Sequence, residues 1–492
     1  MKSGSGTDYP RMQWHKADVL DATGGEVLMT ENCQLKSDNM PQSNAVFAGI
    51  SIDSRTVVPD EIFAAVKGNV HDGHAFIGDV VKKGVRGIII AKDKAGELPF
   101  AELKGKKIIC FAVKDTVKAL GDLGNYNRKR SKIPLTAVTG SNGKTTTRRM
   151  TVSVLSRKFR TLTAYSNYNN EIGVPLTLLN LSAEHEQAVL ELGMNHPGEI
   201  GRLGEICMPD VGVITNIGPA HLEFLGSLDG VMRAKGELLE KIKPEGTAIL
   251  NGDDPRCLTI ASETDRKVLL FGFGGNCHIR AESAEDKYPA GNCFTLALPG
   301  GERVPVCLKI PGRFMVYNAL AAATAGFVLG LSADDIKAGL ENYVPAPGRM
   351  NIIKTDKGAF IVDDTYNANP GSVEAAIEAL GSLKGSARGI LVAGDMLELG
   401  EHSFAMHRKI GRLAAASDIW KLFITGRFAE NVASGARESG MSSRDIFIGN
   451  KTDIIEKLKN MLGAGDWVLV KGSRGMGMED VVKGLTDRGT ES

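Results

Sequence analysis

The sequence contains no apolar run long enough to cross a membrane. Its most membrane-like stretch, Ala319–Leu331, has 13 residues and includes threonine and glycine, whereas a membrane-spanning helix needs about 20 apolar residues. We therefore expect a buried helix here and no membrane insertion. The segment Met1–Pro10 is polar and glycine-rich, so it does not resemble a secretory signal.

The sequence also lacks an excess of charge of either sign. Its 59 lysines and arginines against 58 aspartates and glutamates give a net charge of +1. This balance provides no broad basic surface for nucleic acid or for anionic lipid. The composition therefore favours small-molecule substrates, and no nucleic-acid partner is predicted.

Cysteine is scarce and scattered. The seven cysteines are odd in number and include no Cys-x-x-Cys pair, so the sequence predicts neither a disulfide framework nor a zinc site. A reducing compartment fits such a chain best. We therefore expect a cytoplasmic protein.

What is present is enough chain for several ordinary globular domains. A length of 492 residues suggests three domains, at roughly 100–200 residues each. We expect them to cover residues 1–113, 114–344 and 345–492. The second boundary rests on Val344–Met350, where two prolines and a glycine separate periodic segments.

The pattern of apolar runs predicts an α/β fold throughout, beginning with a small α/β domain up to residue 113. In the second domain an apolar strand, Leu135–Thr139, precedes a glycine-rich turn and a helix that runs from Thr145 to about residue 159. Further strands are predicted at Gln187–Leu192 and Val211–Asn216. This strand–helix–strand rhythm is typical of a parallel sheet.

Two other parts of the chain have their own patterns. Residues from about 247 to 310 predict a more antiparallel patch. The third domain again alternates strands with helices, which predicts a doubly wound, Rossmann-like sheet. Its strands are predicted at Ala359–Asp363, Gly389–Gly394, Leu422–Thr425 and Trp467–Val470.

The turn between the first strand and helix of the second domain is typical of a phosphate-binding loop. Backbone N–H groups and the helix dipole converge there on phosphate oxygens. Lys144 would neutralise the β- and γ-phosphates and Thr145 would bind Mg²⁺, although Val138 stands where the strict pattern has glycine. A glycine turn with a helix cap is the alternative. The predicted ATP-binding residues are Gly140, Ser141, Asn142, Gly143, Lys144, Thr145 and Thr146.

Two more polar residues follow strands of the same predicted sheet. Glu191 closes one strand and His221 lies in the loop after another. Because ligands of open α/β sheets bind beyond the carboxyl ends of strands, both are candidate Mg²⁺ ligands, the carboxylate being the more natural one. Taken singly, either residue could equally be a satisfied structural polar group.

The helix after His221 carries a lysine on its apolar face. Lys235 falls on a stripe that includes Leu228, Val231, Leu238 and Leu239. A buried ammonium must be paired, reach solvent, or lose its charge. Reaching solvent at the helix edge is the ordinary interpretation. The alternative is that CO₂ converts a neutral Lys235 to a carbamate, which would supply a further metal ligand.

Together these motifs resemble those of the Mur ligases, from about Ser51 to near the C-terminus. The resemblance implies a first domain that holds a uridine nucleotide, a second that binds ATP and a third that binds the amino component. It also implies a carbamylated lysine at Lys235. The catalytic candidates are then Lys144, His221 and Lys235.

Further positions are assigned roles by the resemblance alone. Asn318 matches an asparagine near the adenine, while Arg349 and Asp364 match residues that reach the nucleotide from the linker and the third domain. Asn169 and Asn170 match an asparagine-rich loop close to the γ-phosphate. The substrate residues implied in the first and third domains are Ser54, Arg55, Lys67, Asp72, His74, Tyr366 and Asn367.

The third domain indicates which amino component is used. Segments 394–400 (GDMLELG) and 471–479 (KGSRGMGME) resemble those of family members that add D-alanyl-D-alanine, and the Asp-Asn-Pro-Arg signature of the diamino-acid-adding members is absent from the sequence. The implied reaction joins D-alanyl-D-alanine to UDP-N-acetylmuramoyl-tripeptide through an acyl phosphate, with ATP and Mg²⁺. A monomer is expected. The alternatives are a diamino-acid-adding or folyl-polyglutamate-type ligase, or a nucleotide-switched scaffold.

Overall fold

The computed structural model describes residues 11–28, 45–68, 71–165, 167–286 and 291–486. Met1–Pro10 and Cys33 lie outside these ranges. In the described part of the chain, no helix combines the length and the apolar character that a membrane crossing requires. Most strands belong to three large sheets, which follow one another along the sequence.

The first unit is built on a five-stranded sheet with the order β2-β7-β6-β5-β4, in which β2 is antiparallel and the other strands are parallel. A separate antiparallel pair joins β1 to β3. The helix α4 follows this unit. The elements are β1 (Trp14–His15), α1 (Lys16–Thr23), β2 (Glu26–Val27), β3 (Val46–Phe47), β4 (Ile50–Ser51), β5 (Ile62–Ala64), α2 (Ile77–Lys82), β6 (Gly87–Ala91), α3 (Phe100–Gly105), β7 (Ile109–Val113) and α4 (Thr116–Arg130).

The second unit is built on a nine-stranded sheet with the order β16-β15-β14-β13-β12-β11-β8-β10-β9. Its elements are β8 (Leu135–Thr139), α5 (Lys144–Leu155), β9 (Thr161–Thr163), α6 (Gly173–Leu178), β10 (Gln187–Glu191), α7 (Glu199–Cys207), β11 (Val211–Ile214), α8 (Leu222–Leu225), α9 (Leu228–Lys241), β12 (Thr247–Asn251), α10 (Pro255–Ser262), β13 (Lys267–Gly272), β14 (Ile279–Asp286), β15 (Asn292–Ala297), β16 (Arg303–Leu308), α11 (Arg313–Val328) and α12 (Ala333–Glu341).

The central strand β8 positions the site of this unit. It is buried along its whole length, with Leu135 and Ala137 in the core on one face of the sheet and Val138 in the core on the other. Its parallel neighbours are β10 on one side and β11 on the other. The strands that follow β8 in the chain therefore lie on both sides of it. Because β8, β10 and β11 are parallel, the loops that follow them meet at one edge of the sheet.

The antiparallel patch predicted from residue 247 onward is only partly correct. β12 and β13 are parallel to β11 and to each other, and only β14, β15 and β16 pair antiparallel. These last strands extend the nine-stranded sheet and do not form a sheet of their own. β16 is one of its two edge strands, and it carries an exposed arginine, Arg303, and an exposed proline, Pro305.

The prediction of no disulfide is wrong, because Cys293 and Cys307 form one. They are directly paired residues of β15 and β16, with 4.1 Å between their Cα atoms. Strand register brings them together, and their spacing in the sequence does not reveal that register. The other cysteines in the described ranges, Cys110, Cys207, Cys257 and Cys277, are free and buried.

The third unit is a six-stranded sheet with the order β17-β18-β22-β19-β20-β21, parallel except for β17. The loop between α12 and β17 contains the predicted linker, Val344–Met350. The elements are β17 (Asn351–Lys354), β18 (Phe360–Asp364), α13 (Pro370–Lys384), β19 (Gly389–Ala393), α14 (Ser403–Ala416), β20 (Lys421–Ile424), α15 (Ala429–Glu438), β21 (Ile446–Ile448), α16 (Lys451–Met461), β22 (Trp467–Lys471) and α17 (Glu479–Thr486).

The disulfide leads to a prediction about stability. The two cysteines are 14 positions apart in the sequence. Closing a loop of this length should raise the free energy of unfolding of the oxidised protein by about 3 kcal/mol relative to the reduced protein, mainly by restricting the unfolded chain. Peptide mapping without reductant should recover a fragment that links Cys293 to Cys307, and reductant should lower the unfolding temperature. The double variant Cys293→Ser/Cys307→Ser is the control, since reductant should not change its unfolding temperature. Failure to recover the linked fragment from oxidised protein would contradict the assignment.

Candidate active site

The predicted phosphate loop follows β8 and ends where α5 begins at Lys144, as expected from the sequence. Two of its glycines have positive φ and no room for a side chain. A Cβ on Gly140 (φ 145°) would lie 1.9 Å from Thr215 Oγ1, and one on Gly143 (φ 80°) would lie 2.2 Å from Asn318 Oδ1. Glycine at these positions lets the loop after β11 and the helix α11 pack directly against the phosphate loop.

Hydrogen bonds from the loop after β11 fix the shape of the phosphate loop. The backbone N–H of Ser141 donates to Asn216 O, and that of Asn142 donates to Asn216 Oδ1, both at 2.9 Å. Thr215 Oγ1 donates to Asn142 O at 2.5 Å. The two loops therefore form one rigid structure at the edge of the sheet.

Lys144 is the cation of this loop. Its Nζ donates to the backbone carbonyls of Gly140 and Ser141, at 2.8 and 3.3 Å. Burial is the main cause that lowers its pKa, and the nearby carboxylate of Glu191 opposes the shift. Of the next two residues, Thr145 has a hydroxyl that accepts a hydrogen bond from the linker, described below, and Thr146 is buried. The ammonium is therefore held beside the loop by carbonyl oxygens.

Glu191 ends β10 beside the phosphate loop and is buried. Its Oε1 accepts a hydrogen bond from Asn169 Nδ2 at 3.0 Å. Its buried Oε2 accepts none among the described residues, while Arg148 Nε lies 3.8 Å away. A buried carboxylate oxygen without a hydrogen bond is costly, and a cation would satisfy it. The neighbouring Asn170 has a different role, since its Oδ1 accepts from Gly173 N at the start of α6.

His221 brings the third unit to the same edge of the sheet. It adopts a left-handed backbone (φ 55°), and its Nδ1 lies 2.7 Å from Glu398 Oε2, at angles that are poor for a hydrogen bond. This contact is the main cause that lowers the pKa of Glu398. The backbone N–H of Glu223 also donates to Glu398 O, at 3.3 Å. The loop after β11 is thus in direct contact with the third unit.

Lys235 lies on the buried face of α9, as its position on the apolar stripe predicted. It is 1% exposed, and its ammonium has no ion pair or hydrogen bond within the described residues. Burial lowers its pKa well below the ordinary value, and the charge of Lys144 lowers it further. No three His, Cys, Asp or Glu side chains of the described residues are grouped as a ready metal site. Carbamate formation requires an uncharged amine, and burial disfavours the charged form of Lys235.

The linker and the third unit contribute residues that face the phosphate loop from across the cleft. Arg349 Nη2 donates to Thr145 Oγ1 at 3.0 Å, and its guanidinium lies 4.2 Å from the centre of the Tyr366 ring. Asp364 forms an ion pair with Lys471, which is buried at the end of β22. The sequence did not indicate that Asp364 has this partner.

Several asparagines hold neighbouring elements together, and one of these contacts joins the second unit to the third. Asn369 Nδ2 donates to Asn142 Oδ1 of the phosphate loop at 2.8 Å. Asn318 accepts from Thr147 Oγ1 at 3.2 Å and packs on Gly143. Asn367 accepts from the backbone of Arg474 at 3.4 Å. Each of these amides is engaged by a neighbouring element.

A cavity of about 170 Å³ lies in the cleft between the second and third units. Its walls are formed by Ser141 and Lys144 on one side and by segments 367–369, 397–399 and 473–475 on the other, with His221 between them. A larger cavity of about 590 Å³ lies between α4 and α7, lined by residues such as Lys118 and Arg202. We place the chemistry in the smaller one because it contains the phosphate loop.

The predicted substrate residues of the first unit contact one another or close neighbours within that unit. Arg55 is 85% exposed and paired with Asp53 at 2.7 Å, while the Ser54 carbonyl accepts from a neighbouring lysine. His74 uses both ring nitrogens, since Nδ1 lies 2.6 Å from Asp72 Oδ1 and Nε2 accepts from a backbone N–H. Its hydrogen bonds lower the pKa of Asp72, which also pairs by backbone with Lys67.

The structure thus separates the predicted residues into two groups. The phosphate loop, Glu191, His221 and Arg349 meet at one cleft with the third unit, whereas the residues from Ser54 to His74 lie on the first unit. Arg55 of that unit lies near Tyr168, which precedes Asn169. Sequence analysis did not select Glu398, Arg474 and Lys471 as site residues, although the third-domain motifs contain all three.

Comparisons with protein families agree with this arrangement. Residues 46–128 match the family description "Mur ligase family, catalytic domain". Residues 138–326 match "Mur ligase middle domain", and residues 348–474 match "Mur ligase, glutamate ligase domain". The matches follow the order of the three sheets.

Individual relatives resemble the chain over nearly its whole length. The UDP-N-acetylmuramoyl-tripeptide–D-alanyl-D-alanine ligase of Escherichia coli (strain K12) is 35% identical, over 94% of this chain and 99% of that protein. The crystal structure of MurF from Acinetobacter baumannii has a TM-score of 0.85 at 34% identity and covers 97% of this chain and 99% of its own. MurF from Thermotoga maritima in complex with ADP has a TM-score of 0.78 at 29% identity, covering 89% and 96%. With this similarity along the full length of the relatives, and a phosphate loop at the centre of the fold, the chain belongs to the Mur ligase family.

Proposed function

We propose that this chain is the ligase that joins D-alanyl-D-alanine to UDP-N-acetylmuramoyl-tripeptide, with ATP as the energy source. The observation that carries the proposal is the cleft in which the phosphate loop, His221 and the third-unit segments 397–399 and 473–475 face one another. Ligases of this name are the relatives reported above. The reaction is a step in the synthesis of peptidoglycan precursors, and we place it in the cytoplasm.

The chemistry begins with activation of a carboxylate. A carboxylate oxygen of the tripeptide attacks the γ-phosphorus of ATP, the bond to the β-phosphate oxygen breaks, and an acyl phosphate and ADP result. The attacking and leaving oxygens both carry negative charge, so a fixed cation beside the γ-phosphate stabilises the transition state. We assign this role to Lys144 at the start of α5.

The second step forms the amide bond. The unprotonated amine of D-alanyl-D-alanine attacks the acyl carbon and the C–O bond to phosphate breaks. The nitrogen loses one proton, which is carried away by the departing inorganic phosphate as hydrogen phosphate. Water would compete for the acyl phosphate, so the cleft must exclude it. Contacts between the second and third units, such as Asn369 with Asn142 and Glu398 with His221, close the cleft on one side.

Mg²⁺ fits the residues on this edge of the sheet. The Oε2 atom of Glu191, buried without a hydrogen bond, is the strongest indication. Thr145, Glu191, His221 and a carbamylated Lys235 would hold the ion, directly or through water. When bound, it would neutralise charge on the phosphates.

The three units take separate roles in this proposal. Residues 1–113 bind the uridine nucleotide, with Arg55 and Lys67 as candidates for its diphosphate. Residues 114–344 bind ATP, with Asn318 near the adenine, and residues 345–492 bind the amino component, Tyr366 and Asn367 included. Arg349 and Asp364 reach the nucleotide from the linker side, and Asp364 is oriented by Lys471. The functional unit is a monomer.

A panel of amino acceptors tests the function directly. With UDP-N-acetylmuramoyl-tripeptide and ATP present, we expect D-alanyl-D-alanine to give a product detected by mass spectrometry, with one ADP and one phosphate per amide formed. A diamino acid without the dipeptide should give none. Preference for a diamino acid or for glutamate would establish one of the other ligase activities. ATP hydrolysis that is indifferent to both substrates would indicate a nucleotide-switched scaffold.

Removal of the loop lysine should stop the first step. Lys144→Ala should lower the rate of ADP formation by at least about 100-fold, because a preorganised charge on the transferring phosphoryl group is lost. Lys158→Ala is the matched control, since this exposed lysine lies just beyond the far end of α5. Rapid-quench assays with labelled ATP measure the step. Wild-type ADP formation by the Lys144 variant would place the nucleotide elsewhere.

Lys235→Ala tests the carbamate. We expect ligation to fall by at least about 100-fold, as for loss of other preorganised electrostatic groups, while binding of the uridine nucleotide by calorimetry stays unchanged. Short carboxylic acids should restore part of the activity by replacing the missing carboxylate. Lys241→Ala, on the same helix but paired at the surface with Glu205, should stay active. Full turnover by the Lys235 variant would disprove a functional carbamate.

A further inference from the structure

The loop 394–400 in the third unit is held rigidly at the cleft. Buried Asp395 accepts hydrogen bonds from the backbone N–H groups of residues 427 and 428, at 2.7 and 3.1 Å. The N–H of Met396 donates to His407 Nε2, and that of Leu397 donates to Ser473 Oγ, both at 2.9 Å. His407 is itself 1% exposed. Four hydrogen bonds thus join this loop to three neighbouring elements. They fix the position of the backbone from which the next side chain, Glu398, extends.

Glu398 presents one free carboxylate oxygen to the cavity. Its side chain is 47% exposed, and Oε2 is occupied by the contact with His221. In the part of the chain that the structure describes, Oε1 accepts no hydrogen bond. Glu398 and Lys144 line the same cavity. A ligand that contacts Oε1 is therefore near the phosphate loop.

Arg474 lies on the wall of the same cavity formed by segment 473–475. Its Nη1 donates to Glu479 at 3.0 Å, and its guanidinium lies 5.7 Å from the centre of the Tyr366 ring. The side chain is still 64% exposed. A guanidinium has five N–H donors in a planar fork that suits carboxylates, so Arg474 retains donors for a ligand.

Four side chains of ionisable type line this cavity among the described residues, and two of them have not been assigned to any substrate or metal ion above. Lys144 serves the phosphates and His221 the metal site. Glu398 and Arg474 remain, one acidic and one basic. A zwitterion with an ammonium at one end and a carboxylate at the other is the ligand that complements such a pair.

We propose that Glu398 binds the ammonium group of the incoming dipeptide and that Arg474 binds its carboxylate. The inference rests on the proposed function, because it concerns the amino component of that reaction. It gives the dipeptide a direction in the cleft, with its amine on the side of Lys144 and the acyl phosphate. Glu398 and Arg474 then act as the residues that select a zwitterionic acceptor.

The carboxylate half is tested with an acceptor that lacks the charge. For the wild type, replacing D-alanyl-D-alanine by D-alanyl-D-alaninamide should raise KM roughly 10- to 100-fold, with a smaller change in kcat, as for loss of a charge-assisted hydrogen bond. Arg474→Gln should raise KM for the free dipeptide by a similar factor and leave KM for the amide almost unchanged. Arg437→Gln, another ion-paired arginine of the third unit, is the control and should discriminate like the wild type. Wild-type discrimination by the Arg474 variant would overturn this half.

The ammonium half is tested by binding, because a variant in contact with His221 can lose activity for other reasons. Calorimetry with a non-hydrolysable ATP analogue and the uridine nucleotide present would compare D-alanyl-D-alanine with its N-acetyl derivative. The wild type should bind the acetylated dipeptide roughly 10- to 100-fold more weakly, and Glu398→Gln should remove most of that difference. Glu401→Gln, whose side chain is 90% exposed three residues further on, should keep the difference. Equal discrimination by Glu398→Gln and the wild type would overturn the assignment.

The outcomes separate this inference from the function on which it rests. If the wild type forms no product with D-alanyl-D-alanine, the proposed function is wrong. If it forms the product but both variants discriminate as the wild type does, the function stands and the dipeptide is held by other residues.

Discussion

The site depends on how closely the loop after β8 packs against the loop after β11. Gly140 lies so near Thr215 that no side chain fits between them, and Asn216 binds two backbone N–H groups of the phosphate loop. These contacts fix the start of α5, and with it Lys144 and Thr145. The linker arginine, the carboxylate of Glu191 and the third unit all meet this one rigid edge.

Positive charge is concentrated at that edge without enough carboxylate to balance it. Lys144, Arg148 and Lys235 are all buried or partly buried there, and burial lowers the pKa of each. The Glu191 carboxylate opposes this shift in pKa for Lys144 and Arg148, whereas no carboxylate opposes it for Lys235. A triphosphate brings the missing negative charge, so binding should relieve the mutual repulsion of these cations. The same imbalance explains why the pKa of Lys235, which no carboxylate raises, is lowered well below its ordinary value.

Sequence reasoning located the features that are local in the chain. β8 spans the predicted residues, α5 begins within one residue of the predicted position and ends at Leu155, short of the predicted end near residue 159. A strand, a glycine turn and a helix follow from neighbouring residues, and this is why they could be predicted. The apolar stripe similarly placed Lys235 on the inner face of its helix but left open whether its ammonium reaches solvent, and the structure shows that the residue is buried.

Features that depend on distant residues were missed. The pairing of Asp364 with Lys471 joins residues 107 positions apart, and the Cys293–Cys307 disulfide depends on the register of β15 and β16. The position of Glu398 against His221 requires the docking of two separate sheets. No periodicity or spacing encodes such contacts, because they arise only when the units are assembled.

The outer strand of the nine-stranded sheet has a consequence for how molecules meet one another. No further strand pairs with the outer side of β16 among the described residues, and such an edge can recruit a strand from a second molecule. One backbone group on that side is already used, because the Cys307 N–H donates to Glu341 Oε1 of α12 at 3.0 Å. Pro305 in its middle has no N–H to donate, and Arg303 adds charge. Both features disfavour continuation of the ladder. A sheet of nine strands can thus end at β16 without adding a strand from a second molecule. This reduces the tendency of the protein to aggregate at high concentration in the cell.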